Sequence, residues 1–167
     1  MSEKTNLLKE KTLAKLRQKF SDSILAAEEF AGDLLITIPR NSLLAISQFL
    51  RDDGELRFDS LRDVLAIDQY RPQDRFEVVY NIYSVPNRFR VFLKIRVDES
   101  DLKVPTLIPI WPAADWMERE VYDMHGIKFE GHQDLRRIYM PDEFEYHPLR
   151  KEFPLMGIPG SLQLPRK

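Results

Sequence analysis

Apolar residues along the chain change spacing from one segment to the next, and each spacing predicts an element. Leu8, Leu13, Leu16 and Phe20 fall on one face of an N-terminal helix, with lysines outward. Residues 24–30 and 34–38 read as two strands joined by a tight turn at Ala31-Gly32-Asp33, and Pro39 ends the second. A second helix starts at an Asn41 or Ser42 cap, turns Leu43, Ile46, Phe49 and Leu50 inward, and stops at Gly54. Residues 64–67 read as a short buried strand. Strict alternation follows: Phe76, Val78, Tyr80 and Ile82, a turn at Val85-Pro86-Asn87-Arg88, then Phe89, Val91, Leu93, Ile95 and Val97. That is a β-hairpin. Its returning strand sets Arg88, Arg90, Lys94 and Arg96 on the other face. They read as a basic binding surface, as a solvated sheet face, or as an edge strand guarded by charge. Residues 104–111, rich in proline, predict a short helical turn.

The densest stretch is residues 116–139, WMEREVYDMHGIKFEGHQDLRRIY. Pro112 and Asp115 open a third helix. Asp115 with Glu118 makes a start like a capping box, and Gly126 reads as its left-handed C-cap. Met117, Val121 and Met124 share a core-facing stripe. Glu120 sits at the margin of that stripe, where a carboxylate needs a partner. Arg119, Arg136 and Arg137 are nearest in sequence. Past residue 139, Pro141, Pro148, Pro154, Pro159 and Pro165 recur too closely for regular structure. Phe144, Tyr146, Leu149, Phe153, Leu155, Ile158, Leu162 and Leu164 run through this extended tail, and apolar residues on extended chain must lie on something. A neighbouring subunit is the simpler expectation than the tail's own domain.

Composition narrows the chemistry. The 167 residues carry a formal charge of −2, with 43% hydrophobic and 31% charged, which suits one globular domain with a tail. Near-neutral charge argues against nucleic acid as the partner. Cysteine is absent, so thiolate zinc sites, disulfides and iron–sulfur clusters ligated by this chain are excluded. No apolar run approaches the roughly 20 residues that span a bilayer. The first residues fit neither a signal peptide nor an acid-poor transit peptide, which points to a bacterial cytoplasmic protein. The three histidines, His125, His132 and His147, make no helical zinc pair. Two catalytic options stand beside structural ones. His132 near Asp134 and Arg136 reads as a general acid/base group or as a loop-holding histidine. Glu118, Glu120 and Asp123 read as a catalytic carboxylate set or as an ion-pair network with Arg119. No phosphate-binding glycine loop and no GxSxG occur.

One pattern is more specific. Glu118-Arg119-Glu120, Asp123-Met124, Gly126-Ile127, Phe129, Gly131-His132 and Leu135-Arg136-Arg137-Ile138 together resemble the signature of the C-type subunit of NADH:quinone oxidoreductase, the small peripheral-arm chain of respiratory complex I. His147-Pro148-Leu149-Arg150-Lys151-Glu152-Phe153-Pro154-Leu155 is similar to that family's next landmark. The family usually has an aromatic or aliphatic residue where His125 stands, and often a proline where Gln133 stands.

The resemblance implies an α+β, two-layer fold with helices packed on one mixed sheet. Residues 1–139 form the domain and residues 140–167 an extended, proline-rich, partner-binding tail. It implies a scaffold without cofactor, catalytic residue or metal of its own, on the cytoplasmic side of the bacterial inner membrane. The arm passes electrons from NADH through FMN and iron–sulfur clusters in other subunits to quinone, coupled to proton translocation. The expected partners are the quinone-site (D-type) subunit and cluster-bearing subunits. The expected interface network is Glu118, Arg119, Glu120, Asp123, His132, Arg136, Arg137, His147, Arg150 and Lys151. The alternatives are the equivalent subunit of a complex driven by ferredoxin, another carrier or hydrogen, and a free-standing enzyme using the carboxylates with His132.

Overall fold

The computed structural model describes residues 3–157. Helix α1 (Glu3–Phe20) leads into the hairpin β1 (Ala26–Phe30) and β2 (Asp33–Thr37), then α2 (Leu43–Asp52). Strands β3 (Ser60–Asp68), β4 (Phe76–Ser84) and β5 (Phe89–Val97) follow, and then the short β6 (Lys103–Pro105), helix α3 (Ala114–His125) and the short β7 (Lys128–Glu130). The main sheet runs β1-β2-β5-β4-β3. It is mixed: β2 lies parallel to β5 and every other pairing is antiparallel. A second sheet pairs β6 with β7 in parallel, an element that the proline-rich sequence concealed.

The alternation in β4 and β5 does what period 2 requires. Tyr80 pairs with Leu93 and Ile82 with Val91, so one face of the hairpin is continuously apolar. Leu16 of α1, Leu43, Ile46 and Leu50 of α2, and Ala114 and Val121 of α3 join those residues in a single core. The helices thus form one layer and the sheet the other.

Several local expectations change. β3 is twice the expected strand in extent and half exposed, because it lies at the sheet edge with Leu65 and Ile67 facing outward. β5 is central, so its basic residues guard no edge. Arg90 pairs with Asp33 at 2.5 Å, and Lys94 and Arg96 share Glu77 at 4.0 and 3.4 Å. Lys9 of α1 is buried rather than outward and reaches Glu29 at 2.9 Å. α2 ends at Asp52, not on a left-handed Gly54: Asp53 is extended, and its carboxylate accepts the N–H groups of Glu55 and Leu56. Ser42 precedes α2 without a side-chain cap, its hydroxyl being engaged with Ser23 at 2.8 Å.

The tail does not leave the domain at residue 140. Phe144 is buried, and Leu149 N–H donates to the Met124 carbonyl at the end of α3. Up to Gly157, then, the chain's own domain holds part of the tail. The anchors expected at Ile158, Leu162 and Leu164 lie outside the described residues.

Candidate functional site

α3 starts without a side-chain cap, its N-cap being Ala113. The expected capping box is not made, because Glu118 turns inward. Its stripe is Ala114, Glu118, Val121 and His125, all buried, while Met117 and Met124 are only half buried. The polar members of this stripe hid its true axis. Glu118 is fully buried and meets no cation among the described residues. Its carboxyl accepts the Leu107 N–H at 2.7 Å and the Thr106 hydroxyl at 2.6 Å. Those two bonds tie α3 to the turn after β6. Glu120 faces solvent, so the buried carboxylates of this helix are Glu118 and Asp123.

Burial pushes the Glu118 carboxyl up to about 7; the Leu107 N–H and Thr106 hydroxyl oppose that shift and Asp115 adds to it. The folded chain keeps a proton that the unfolded chain releases from the ordinary 4.5 upward. This group's stabilising share is therefore full below that pH, declines as pH rises towards 7, and is gone above it. Glu118→Gln stays neutral at every pH, its amide oxygen accepting the Leu107 N–H and its amide N–H donating to the Thr106 oxygen. It is expected to match wild type near pH 4 and to exceed it by roughly 1–3 kcal/mol at about pH 8 in urea unfolding.

Asp123 is the opposite case. It is fully buried, yet Arg137 donates to Oδ1 at 2.7 Å. Oδ2 accepts the N–H groups of Ile138, Tyr139 and Met140 at 3.1, 2.7 and 3.0 Å. Burial alone would raise its pKa, but the Met140 and Tyr139 N–H groups and the Arg137 guanidinium hold it below the usual carboxylate range. One carboxylate thus folds the chain back over three successive residues.

The two adjacent arginines part ways. Arg137 points in and also donates to the Tyr146 carbonyl, whereas Arg136 is exposed beside Asp134. Arg119 donates to the carbonyls of Arg136 and Arg137 at 3.1 and 3.3 Å, with its guanidinium 4.6 Å from the centroid of the Trp116 ring. None of the three pairs with Glu120, contrary to expectation. His132 accepts the Asp134 N–H on Nδ1 and sets Nε2 3.2 Å from the Asp115 carbonyl, which makes it a loop-holding histidine. The four groups of the expected catalytic set therefore diverge: Glu118 points into the core, Glu120 to solvent, Asp123 to Arg137 and His132 to Asp115.

A second network holds the tail. Arg75 grips Asp68 with two bonds, at 2.9 and 2.6 Å, and reaches Glu99 and Glu152. Arg150 donates to the His125 carbonyl at 2.8 Å and lies 3.4 Å from Glu99. Lys151 contributes its backbone N–H, to Asp68 at 2.8 Å, rather than its ammonium. His147 Nδ1 lies 3.0 Å from the Asp123 carbonyl, and burial lowers its pKa. Gly126 takes the expected left-handed cap, at φ +79°. There it lets the tail come close, since a Cβ would sit 2.6 Å from His147 Nε2 and 2.8 Å from Arg150 Nη2. The His125 ring lies edge-on to Phe76, 6.4 Å between centroids, and burial drives its pKa down to about 4. It packs as a neutral ring.

Sequence reasoning missed Asp68, Arg75, Glu99 and Thr106, and it gave Glu152 no role beyond its place in the family landmark. They come from separate elements, and no local spacing joins them. Among the described residues no group of three or more His, Asp or Glu could hold a metal ion, and no helix is long and apolar enough to cross a membrane. Among the described residues, six large apolar side chains stay exposed on α3, in the segment after β7 and on the tail: Trp116 (64%), Tyr139, Tyr146, Leu149, Leu155 and Met156.

The model of the family described as "Respiratory-chain NADH dehydrogenase, 30 Kd subunit" matches residues 36–159. The C-type subunit of NADH-quinone oxidoreductase from Geotalea uraniireducens is 44% identical over 147 residues, 88% of each chain. Its counterpart of the same name from a Roseiflexus species is 46% identical over 143 residues, 86% of this chain and 82% of its own. Among solved structures, a trypsin-resistant fragment of Nqo5 is 32% identical with a TM-score of 0.64, over 77% of this chain and 99% of the fragment. A chain of the membrane-bound sulfane sulfur reductase, an archaeal respiratory membrane complex, is 25% identical with a TM-score of 0.72, over 88% of this chain and 86% of that one.

Proposed function

The chain belongs to the family of the respiratory-chain NADH dehydrogenase 30 kDa subunit, and we propose that it serves the peripheral arm of NADH:quinone oxidoreductase as a scaffold without a catalytic site of its own. The observation that carries this reading is the contrast on α3. Its buried charges are engaged inside the chain, by Arg137, by the 138–140 backbone and by the turn after β6. Trp116 and Glu120 of α3 face outward, and so do Arg136 and Tyr139 in the segment after β7. A frame that presents tryptophan, tyrosine and arginine outward is what a permanent interface needs, because those residue types are enriched among the ones that dominate binding energy.

In this reading the outward α3 face and the tail meet the quinone-site (D-type) subunit and cluster-bearing neighbours. Arg137 holds the frame from within and Arg136 contacts the partner. FMN, iron–sulfur clusters and quinone belong to those other subunits, in keeping with a sequence that has no cysteine to ligate a cluster. The chain then lies on the cytoplasmic side of the bacterial inner membrane, reaching it only through the complex. The likeness to the sulfane sulfur reductase chain favours one second reading, the equivalent subunit of a related respiratory machine with a different electron donor or acceptor.

Trp116→Ala with Tyr139→Ala tests the interface. Neither side chain is in the core, so the isolated chain should unfold within a few degrees of wild type. Truncating two such anchors removes about 2–4 kcal/mol of binding, and co-purifying subunits should fall roughly tenfold or more. Undiminished co-purification would remove this face from the interface.

A further inference from the structure

A cleft of about 390 Å³ opens on the tail, walled by Tyr146, Phe153 and Pro154 with Glu145 at its side. The wall is rigid. Buried Phe144 meets Tyr146 and Phe153 at 5.6 and 6.1 Å between ring centroids, and those two lie 6.3 Å apart. Three more groups line the cleft, and each is already committed. Arg150 is held by the His125 carbonyl and Glu99, and Glu152 by Arg75 and Arg150. His147 is turned to the Asp123 carbonyl. Glu145 alone of the charged lining residues has no hydrogen bond or ion pair with any described residue. The uncommitted charge of the cleft is therefore negative, and it stands beside two aromatic rings.

We propose that this cleft is the socket for one basic side chain, arginine or lysine, of a partner subunit, whose head would pair with Glu145 while its stem lies on Tyr146, Phe153 and Pro154. The proposal rests on the chain being a subunit of the complex and names one contact within it. The chemistry selects the occupant. A cation gains from both the ring faces and the carboxylate, and its methylene stem matches the apolar wall. An acidic side chain would be repelled. An apolar one would leave Glu145 desolvated and unpaired, which is unfavourable.

The test uses the assembled complex. A photo-crosslinking residue replaces Pro154, whose side chain makes no polar contact, and the complex is irradiated in its own membranes. The expected product joins position 154 to a peptide of another subunit that carries Arg or Lys at the linkage. Its yield should fall about three- to tenfold in Glu145→Gln, by loss of the ion pair and ring-assisted charge, and further in Glu145→Lys. Glu145 has no partner among the described residues, so both variants should leave the isolated chain's unfolding unchanged. Crosslinks confined to this chain, linkage to a segment without a basic residue, linkage to a second copy of this chain, or a yield indifferent to Glu145→Lys would each overturn the socket. Failure of the unmodified chain to co-purify with any subunit would instead overturn the scaffold reading.

Discussion

Asp123→Ala is expected to lower stability by about 3–5 kcal/mol, the usual result of removing one member of a buried pair. For a domain of this size that corresponds to a fall in Tm of roughly 10 °C. Four donors converge on this carboxylate: the Arg137 guanidinium and the N–H groups of Ile138, Tyr139 and Met140. Alanine strands all of them and leaves the guanidinium facing a buried gap. The loss should be local before it is global. Amide exchange at residues 138–140 should rise by several orders of magnitude while the β4–β5 hairpin stays protected. Thermal unfolding by circular dichroism and exchange mass spectrometry read the two parts. A Tm within about 2 °C of wild type, or exchange that rises evenly across the sheet, would contradict this role. Arg137→Ala follows the same logic, and it is expected to harm the isolated fold as well as assembly.

Gly126→Val is expected to free the tail while sparing the sheet. The left-handed φ of +79° is strained for most side chains and above all for a β-branched one. The new Cβ would also stand 2.6 Å from His147 Nε2 and 2.8 Å from Arg150 Nη2. The near-contact is with the pair that fastens the tail to α3, so the cheapest relief is for residues 147–153 to lift. Tryptic cleavage after Arg150 or Lys151 should then quicken roughly tenfold to a hundredfold, as strain of a few kcal/mol raises the open population. Gly126→Asn separates the two effects, since asparagine tolerates the left-handed region but still carries the Cβ. Wild-type cleavage in Gly126→Val would show that the tail is held elsewhere.

Both results turn on how the chain uses its charge. Surface pairs such as Arg136 with Asp134 contribute little. Asp123 with Arg137 and Asp68 with Arg75 are buried or nearly so, and each also organises backbone N–H groups. Such pairs fix position more than they add stability, and breaking one is severe. That division suits a chain read as a scaffold. The frame is set from inside, and the outward side chains remain for the partner.

The parts readable in the sequence are those whose signal is local. The β4–β5 hairpin announced itself by alternation and Gly126 by its place after a helix. The signature at residues 118–138 carried enough mixed residue types to identify a family. Glu118 was misread because an acid in the first turn of a helix serves equally as a cap and as an inward hydrogen-bond acceptor. The choice is made by Thr106 and Leu107, which lie outside the helix. The same ambiguity placed Glu120 at the core margin, since Ala114 and His125 gave the wheel too little hydrophobic weight to locate its buried side. The clamp of Asp68 and Arg75 on the tail had no local signal at all. Asp68 ends an edge strand, Arg75 precedes the next one, and Glu152 follows long after both. Only the fold brings them together.

The most direct measurement is purification of the tagged chain from its own membranes in mild detergent, with mass spectrometry and flavin and iron assays of whatever co-elutes. The scaffold account predicts near-equal amounts of flavin- and cluster-bearing subunits, with the quinone-site subunit the last to be lost as salt is raised. A chain that elutes alone, free of flavin and iron, would contradict it.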